Sequence, residues 1–167
     1  MGAYKILKVN YERCTGCRLC ELACSVKHDR VSNPIRSRIR IIKWESEGLY
    51  VPVTCQQCED PPCAIACPAK AISRNQDIGR VEIDYEKCIG CRTCVSVCPF
   101  GAVHFVPADR KVIKCHLCDG DPQCVRFCEV KAVDLADAGD IGLQKSREAA
   151  LRLQAAEHRA STLTAAS

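Results

Sequence analysis

Aromatic residues are scarce in this 167-residue chain, which carries three Phe, four Tyr and one Trp. That length has room for one ordinary domain or two small ones, and without bulky rings the apolar core is thin. Small domains of that kind need disulfides or metals to hold them together. Long apolar runs are missing too. The N-terminal Met1-Gly2-Ala3-Tyr4-Lys5-Ile6-Leu7-Lys8 lacks the apolar stretch of a signal peptide. No later segment approaches the roughly 18 apolar residues of a membrane span. The expectation is a cytoplasmic chain with no direct membrane span, exported only if a partner carries it along.

Charge of one sign is not concentrated anywhere. The formal net charge is +4, and no dense basic tract of the kind that binds nucleic acid occurs, so no nucleic-acid partner is expected. Arg36, Arg38, Arg40 and Lys43 alternate with Ser37, Ile39, Ile41 and Ile42, a pattern that predicts the wet face of a strand. Glycine-rich phosphate loops and dinucleotide fingerprints are absent, so a nicotinamide or flavin would have to sit on a different subunit. His28, His104, His116 and His158 are scattered, with no evident base or nucleophile beside them. The chain therefore presents no catalytic residues of its own and is not expected to be an enzyme.

What the sequence has in excess is cysteine, sixteen in all. In a secreted chain that would mean a disulfide scaffold, whereas in a reducing compartment such thiols bind metal. They fall into four groups of four. Cys14, Cys17, Cys20 and Cys24 follow C-x2-C-x2-C-x3-C, and Cys88, Cys91, Cys94 and Cys98 repeat it, with Pro99 after. Cys55, Cys58, Cys63 and Cys67, followed by Pro68, have two extra residues before the third cysteine. Cys115, Cys118, Cys124 and Cys128 have three extra residues there. Zinc commonly uses separated C-x2-C knuckles, and three cysteines within seven residues are awkward for two tetrahedral sites. A tight loop of three thiolates instead curls around three irons of a cubane. The fourth cysteine, one helical turn on, faces away and in bacterial ferredoxins ligates the other cluster of a pair. Four quartets thus predict four 4Fe-4S clusters, ligated through iron by the sixteen cysteines. Gly16 and Gly90 lie in the first loops, where positive φ and close approach are needed.

Short strands are expected after the later groups, at Ala71-Ile72-Ser73, Ala102–Val106 and Ala132–Leu135. Partners follow at Val81–Asp84 and Lys111–Lys114, with turns at Asp77-Ile78-Gly79 and Pro107–Arg110. Between Cys24 and Cys55, the segments Arg38–Trp44 and Leu49–Val53 flank Gly48 as one more hairpin. Residues Gln144 to Ala160, rich in Ala, Leu, Arg and Glu, predict a C-terminal helix.

Over residues 4–136 the chain resembles the four-cluster ferredoxin-type subunits that serve large redox enzymes, including the beta subunits of the dimethyl-sulfoxide-reductase superfamily. Cys20-Glu21-Leu22-Ala23-Cys24-Ser25 with His28, Asn33-Pro34 and Ser37-Arg38-Ile39, and Lys114-Cys115-His116-Leu117-Cys118-Asp119-Gly120-Asp121-Pro122, narrow the likeness. Both are similar to the small iron–sulfur subunits of tungsten aldehyde oxidoreductases and nickel carbon monoxide dehydrogenases. The resemblance implies an α+β, duplicated bacterial-ferredoxin-like fold: two double-cluster modules with short hairpins and a C-terminal helix. Residues 1–136 would form the four-cluster domain, pairing 14–24 with 115–128 and 55–67 with 88–98. Residues 137–167 would be a linker and helical extension.

The same resemblance implies the ligand sets. One cluster takes Cys14, Cys17, Cys20 and Cys128; its mate takes Cys24, Cys115, Cys118 and Cys124. A third takes Cys55, Cys58, Cys63 and Cys98, and the fourth Cys67, Cys88, Cys91 and Cys94. Ser25 and Glu129 stand where the family pattern has proline. Lys70, Arg92, Lys114 and Arg126 are candidates to raise cluster potentials, and His116, between two ligands, is expected to be filler. The implied function is to carry single electrons between a partner oxidoreductase, a tungsten aldehyde oxidoreductase, and another redox subunit or carrier, such as a flavin/NAD subunit or ferredoxin. The alternatives are a free polyferredoxin, or the same role for a molybdenum enzyme, carbon monoxide dehydrogenase or hydrogenase. Residues 140–160 would dock on a partner or on a second copy.

Overall fold

The computed structural model describes residues 4–76, 79–142 and 146. The expected turn residues Asp77 and Ile78, and the helix expected over Gln144–Ala160 apart from Ser146, lie outside them. Regular structure is sparse and mixed. Among the described residues, eight strands form four separate two-stranded antiparallel sheets. Three are local hairpins: β2 (Arg40–Trp44) with β3 (Leu49–Val53), β4 (Ile72–Asn75) with β5 (Arg80–Ile83), and β6 (Val103–Val106) with β7 (Lys111–Lys114). These are the hairpins that alternation and turn residues predict. The fourth sheet joins β1 (Lys5–Val9) to β8 (Val133–Asp137), with Lys5 opposite Asp137 and Val9 opposite Val133. No hairpin signal marks β1, because its partner lies at the other end of the cysteine-bearing region.

Among the described residues, the helices of the cysteine groups are short, with one exception. The helix α1 (Leu19–Asp29) has eleven residues, while α2 (Pro62–Ile65), α3 (Thr93–Ser96) and α4 (Gln123–Arg126) have four each. The two undistorted cysteine groups start their helices alike. Gly16 and Gly90 both sit at φ +68°, and Arg18 and Arg92 follow in the left-handed region at +64° and +68°. A Cβ at Gly16 would sit 2.6 Å from the Tyr50 ring, so close packing as well as φ requires glycine there. The two expanded groups enter their helices through Pro61-Pro62 and Pro122 instead, proline being preorganised for a helix start. α1 packs on α4, and α2 on α3.

The thiols form much of the interior. Cys20, Cys24, Cys55, Cys115 and Cys124 pack with Leu7, Ile39, Ile41, Leu117 and Val133 in one buried cluster. Cys63 and Cys94 pack with Ile72, Val81, Val103 and Val112 in a second. No helix among the described residues is long and apolar enough to cross a membrane.

The basic segment before β2 is not the wet face of a strand. Only Arg40 and Lys43 are in β2; Arg36 closes a 3-10 turn, Pro34–Arg36, and pairs with Asp109. Arg38 turns inward and is 7% exposed. The cause is Ser37, fully buried, whose Oγ accepts the Ile39 N–H and donates to the Ile39 carbonyl, bending the chain toward the core.

Candidate functional site

All sixteen cysteines are free thiols. Among the described residues no three His, Cys, Asp or Glu side chains converge closely enough for a single metal ion. Ligands of one tetrahedral zinc would lie about 3.8 Å apart, given Zn–S bonds of about 2.3 Å. The cysteines instead ring three separate cavities of about 320 to 340 Å3 each, mouths included. Cys14, Cys17, Cys20 and Cys128 line one with Ile41 and Phe127. Cys55, Cys58, Cys63 and Cys98 line another with Val81 and Phe100. Cys67, Cys88, Cys91 and Cys94 line the third with Ile72 and Val112. Each cavity draws three thiols from one sequence group and the fourth from a group far along the chain.

The remaining four, Cys24, Cys115, Cys118 and Cys124, are electrostatic neighbours. After burial, the charges of Cys115, Cys24 and Cys118 are what push the Cys124 thiol up. Burial also pushes Cys20 and Cys115 up to about 12 and Cys63 to about 11. As bare thiols these groups hold their protons at neutral pH, so metal ligation has to release them. Cys17 and Cys91 are the exposed members, and at Cys91 the Thr93 hydroxyl and backbone pull the thiol below its ordinary value.

The surroundings fit iron–sulfur groups. Backbone N–H groups point at cysteine sulfurs from Ala71 to Cys67 (3.3 Å), Ala102 to Cys98 (3.4 Å), Ala132 to Cys128 (3.2 Å), Leu117 to Cys115 (3.4 Å) and Arg38 to Cys24 (3.3 Å). Soft thiolates in apolar cavities with N–H donors at their sulfurs are the donor set such clusters take. Arg38 adds an orphan: its Nε and Nη1 are buried without a partner, as a donor facing an anionic group would be.

Lys114, Gln57 and Val81 tie the two cysteine regions together. Lys114, 2% exposed, donates from Nζ to the Val81 carbonyl and, at 2.9 Å, to that of Cys115. Gln57, fully buried, donates to the Cys115 carbonyl at 3.0 Å and accepts the Val81 N–H at 2.8 Å. The Lys114 charge opposes the rise at Cys58 and Cys63. Of the four cations singled out in the sequence, it alone is buried. Arg92 stacks on Phe105 at 3.8 Å, Arg126 pairs with Asp121 at the surface, and Lys70 is exposed.

His28 is a contact that sequence reasoning missed. Its Nε2 lies 3.3 Å from the Cys118 sulfur, and its ring meets His116 edge-on, centroids 4.9 Å apart. The available signal was Ser25, whose place proline would hold in the family pattern. Without proline α1 runs on to Asp29, carrying His28 one turn beyond Cys24. Burial pushes the His116 imidazole below its ordinary value.

The sequence matches known families and proteins. The 4Fe-4S dicluster domain family matches residues 46–138, and the 4Fe-4S binding domain family residues 7–27. The polyferredoxin-like subunit of an aliphatic sulfonate oxidoreductase from Pyrococcus furiosus is 46% identical over 118 residues, 70% of this chain and 67% of that one. A putative electron transport protein of Escherichia coli, YsaA, is 38% identical over 151 residues, 81% of this chain and 92% of that one. Formate hydrogenlyase subunit 2 of Escherichia coli is 33% identical over 172 residues, 81% of this chain and 83% of that one.

Proposed function

The chain belongs to the 4Fe-4S dicluster domain family, and from that premise we propose that its sixteen cysteines hold four 4Fe-4S clusters wiring a tungsten aldehyde oxidoreductase to a second carrier. Its relatives include the polyferredoxin-like subunit of an aliphatic sulfonate oxidoreductase and subunit 2 of formate hydrogenlyase. The observation that carries the reading is the lining of three cavities by four thiols each, three from one group and one from another. The fourth set is Cys24, Cys115, Cys118 and Cys124. The same crossing of groups supports a duplicated two-module domain over residues 1–136, and residues 137–167 are proposed as its extension.

When bound, each cluster takes up and gives back one electron without breaking a bond to the protein. The chain's own part is electrostatic and mechanical. Backbone N–H groups at Cys24, Cys67, Cys98, Cys115 and Cys128 hold negative charge on sulfur. Gln57 and Lys114 fix the Cys115 carbonyl against the segment that carries Val81. Apolar walls cover the buried thiols, while Cys17 and Cys91 are exposed and offer electrons a way in or out.

The tungsten partner rests on the segments from Cys20 to Ile39 and from Lys114 to Pro122. The 46% identity to the subunit of an aliphatic sulfonate oxidoreductase favours, as a second reading, a catalytic partner that acts on sulfonates. Anaerobic native purification with elemental analysis tests the first, and assaying the purified complex with an aldehyde and with an aliphatic sulfonate separates it from the second. Tungsten with roughly 16 iron per chain, four per cluster, supports the proposal. Molybdenum or nickel moves the wire to another enzyme, and no companion at all favours a free polyferredoxin. Removing residues 143–167, which leaves the buried Ile141 in place, tests docking through the extension. An unchanged assembly size would remove that part.

A further inference from the structure

The four thiols Cys24, Cys115, Cys118 and Cys124 differ from the other three sets in what is aimed at them. At Cys67, Cys98 and Cys128 the donor is the backbone N–H four residues on, at Ala71, Ala102 and Ala132. At Cys91 it is a hydroxyl, Thr93 Oγ1, 3.4 Å away and exposed. At Cys24 and Cys118 the donors come from distant parts of the chain. The Arg38 N–H reaches the Cys24 sulfur across fourteen positions, and His28 Nε2 reaches the Cys118 sulfur across ninety.

A thiolate bound to iron has no proton to give, so in the contact with Cys118 the hydrogen must be on His28 Nε2. His28 lies four residues after Cys24 on α1, and residues at that spacing share a helix face. The extra turn of α1 therefore presents one ligand and one donor side by side. Ser25 fixes that turn from within: its Oγ donates to the Leu22 carbonyl at 2.9 Å and accepts the Asn33 N–H at 3.1 Å.

Arg38 adds charge. Its guanidinium is buried, with Nε and Nη1 unpartnered, and its field reaches both Cys118 and His116. Lys114 is the comparable buried cation near Cys58 and Cys63, but its ammonium already donates to the Val81 and Cys115 carbonyls.

We propose that His28 and Arg38 are positioning residues for the group held by Cys24, Cys115, Cys118 and Cys124, and that they make it the most readily reduced centre in the chain. This rests on the ligand sets proposed above. Reduction adds one negative charge, which a charge-assisted N–H···S contact and a desolvated guanidinium stabilise more than they stabilise the oxidised form. In the wire, that centre would hold an arriving electron before it moves on.

The test is a reductive titration of the anaerobically purified native complex, followed by electron paramagnetic resonance. His28→Phe keeps the ring against His116 and deletes the donor. It should lower the highest midpoint about tenfold in equilibrium constant, about 59 mV for one electron, and leave the others and the iron content unchanged. His28→Gln retains an N–H and should recover most of the loss. Arg38→Gln should lower the same midpoint independently. No shift in either His28→Phe or Arg38→Gln at full iron content, or a shift confined to another midpoint, overturns the proposal. Cys118→Ser tests the reading beneath it: loss of the highest-potential signal with about a quarter of the iron supports the ligand set. Unchanged iron in that variant removes the ligand set and the proposal with it.

Discussion

Glu21, 1% exposed, accepts the Ile41 backbone N–H on one carboxylate oxygen at 2.8 Å. Its other oxygen takes Arg18 Nε at 2.5 Å. The residue thus braces α1 against the β2–β3 hairpin, beside two cysteines, Cys20 and Cys24, of the same helix. Glu21→Ala would leave a buried N–H without an acceptor, at a cost of about 1–3 kcal/mol. Thermal melting of the cluster-loaded protein should show a lower midpoint at unchanged iron content. A midpoint equal to the parent's would mean that the brace contributes nothing.

The hairpins were legible because their signals are local. Val103–Val106 and Lys111–Lys114 flank a Pro-Ala-Asp-Arg turn whose Arg110 takes the left-handed conformation (φ +51°), and Gly48 does the same between β2 and β3. The cysteine groups were legible because their spacing repeats along the chain, and the structure gathers twelve of the sixteen around three shared cavities. What stayed hidden is non-local. β1 finds its partner only after the cysteine-bearing region folds back on itself, and nothing in Lys5–Val9 names Val133–Asp137. Arg38 read as a surface cation because alternation cannot see the bend that Ser37 makes. Ile89 and Leu19, apolar residues inside the cysteine groups, are 70% and 44% exposed, which their character alone does not reveal.

His104 gives the loaded protein a pH response. Burial pushes its imidazole down to about 4, the Arg40 charge adds to the effect, and its buried Nε2 has no partner. The unfolded chain takes up that proton near pH 6.5. A depressed value means stability that is present above pH 6.5 and lost as pH falls toward about 4. Partial exposure of the ring reduces the effect to about 1–2 kcal/mol. His104→Phe should narrow the difference in melting temperature between pH 7 and pH 5. An unchanged difference would place the acid sensitivity elsewhere.

Removing the iron should unfold the protein. Cys20, Cys24, Cys55, Cys115 and Cys124 make up about half of one buried cluster, so the apolar remainder is small. Where so much of a core consists of ligands, ligation free energy is folding free energy. Chelated, iron-free chain should show little regular circular dichroism and no cooperative thermal transition. A sharp transition in the iron-free chain would show a core that stands without its clusters.

Ser25 is where the sequence departs from its own repeat with a structural consequence. Pro68 and Pro99 follow Cys67 and Cys98, and α2 and α3 stop just ahead of those cysteines. Losing the proline is not sufficient to lengthen a helix, because Glu129 occupies the equivalent place and α4 still stops at Arg126. There Lys131 turns left-handed at φ +52°, as Lys70 and Gly101 do at +48° and +59°. In the first group no such turn intervenes, and the buried Ser25 hydroxyl instead holds Asn33 against the helix. Ser25→Pro would remove an interior N–H and drive the ring into the preceding turn, a cost of about 3 kcal/mol. Cys24 precedes the break, so iron content should stay at the parent value. His28 follows it and should lose Cys118. The variant should therefore melt lower and show the highest cluster midpoint falling in step with His28→Phe. Ser25→Ala, which keeps the helix and loses only the hydroxyl, should cost about 1 kcal/mol and leave that midpoint in place. If Ser25→Pro retains both its iron and its midpoint, the extra turn of α1 does not deliver His28 to the cluster.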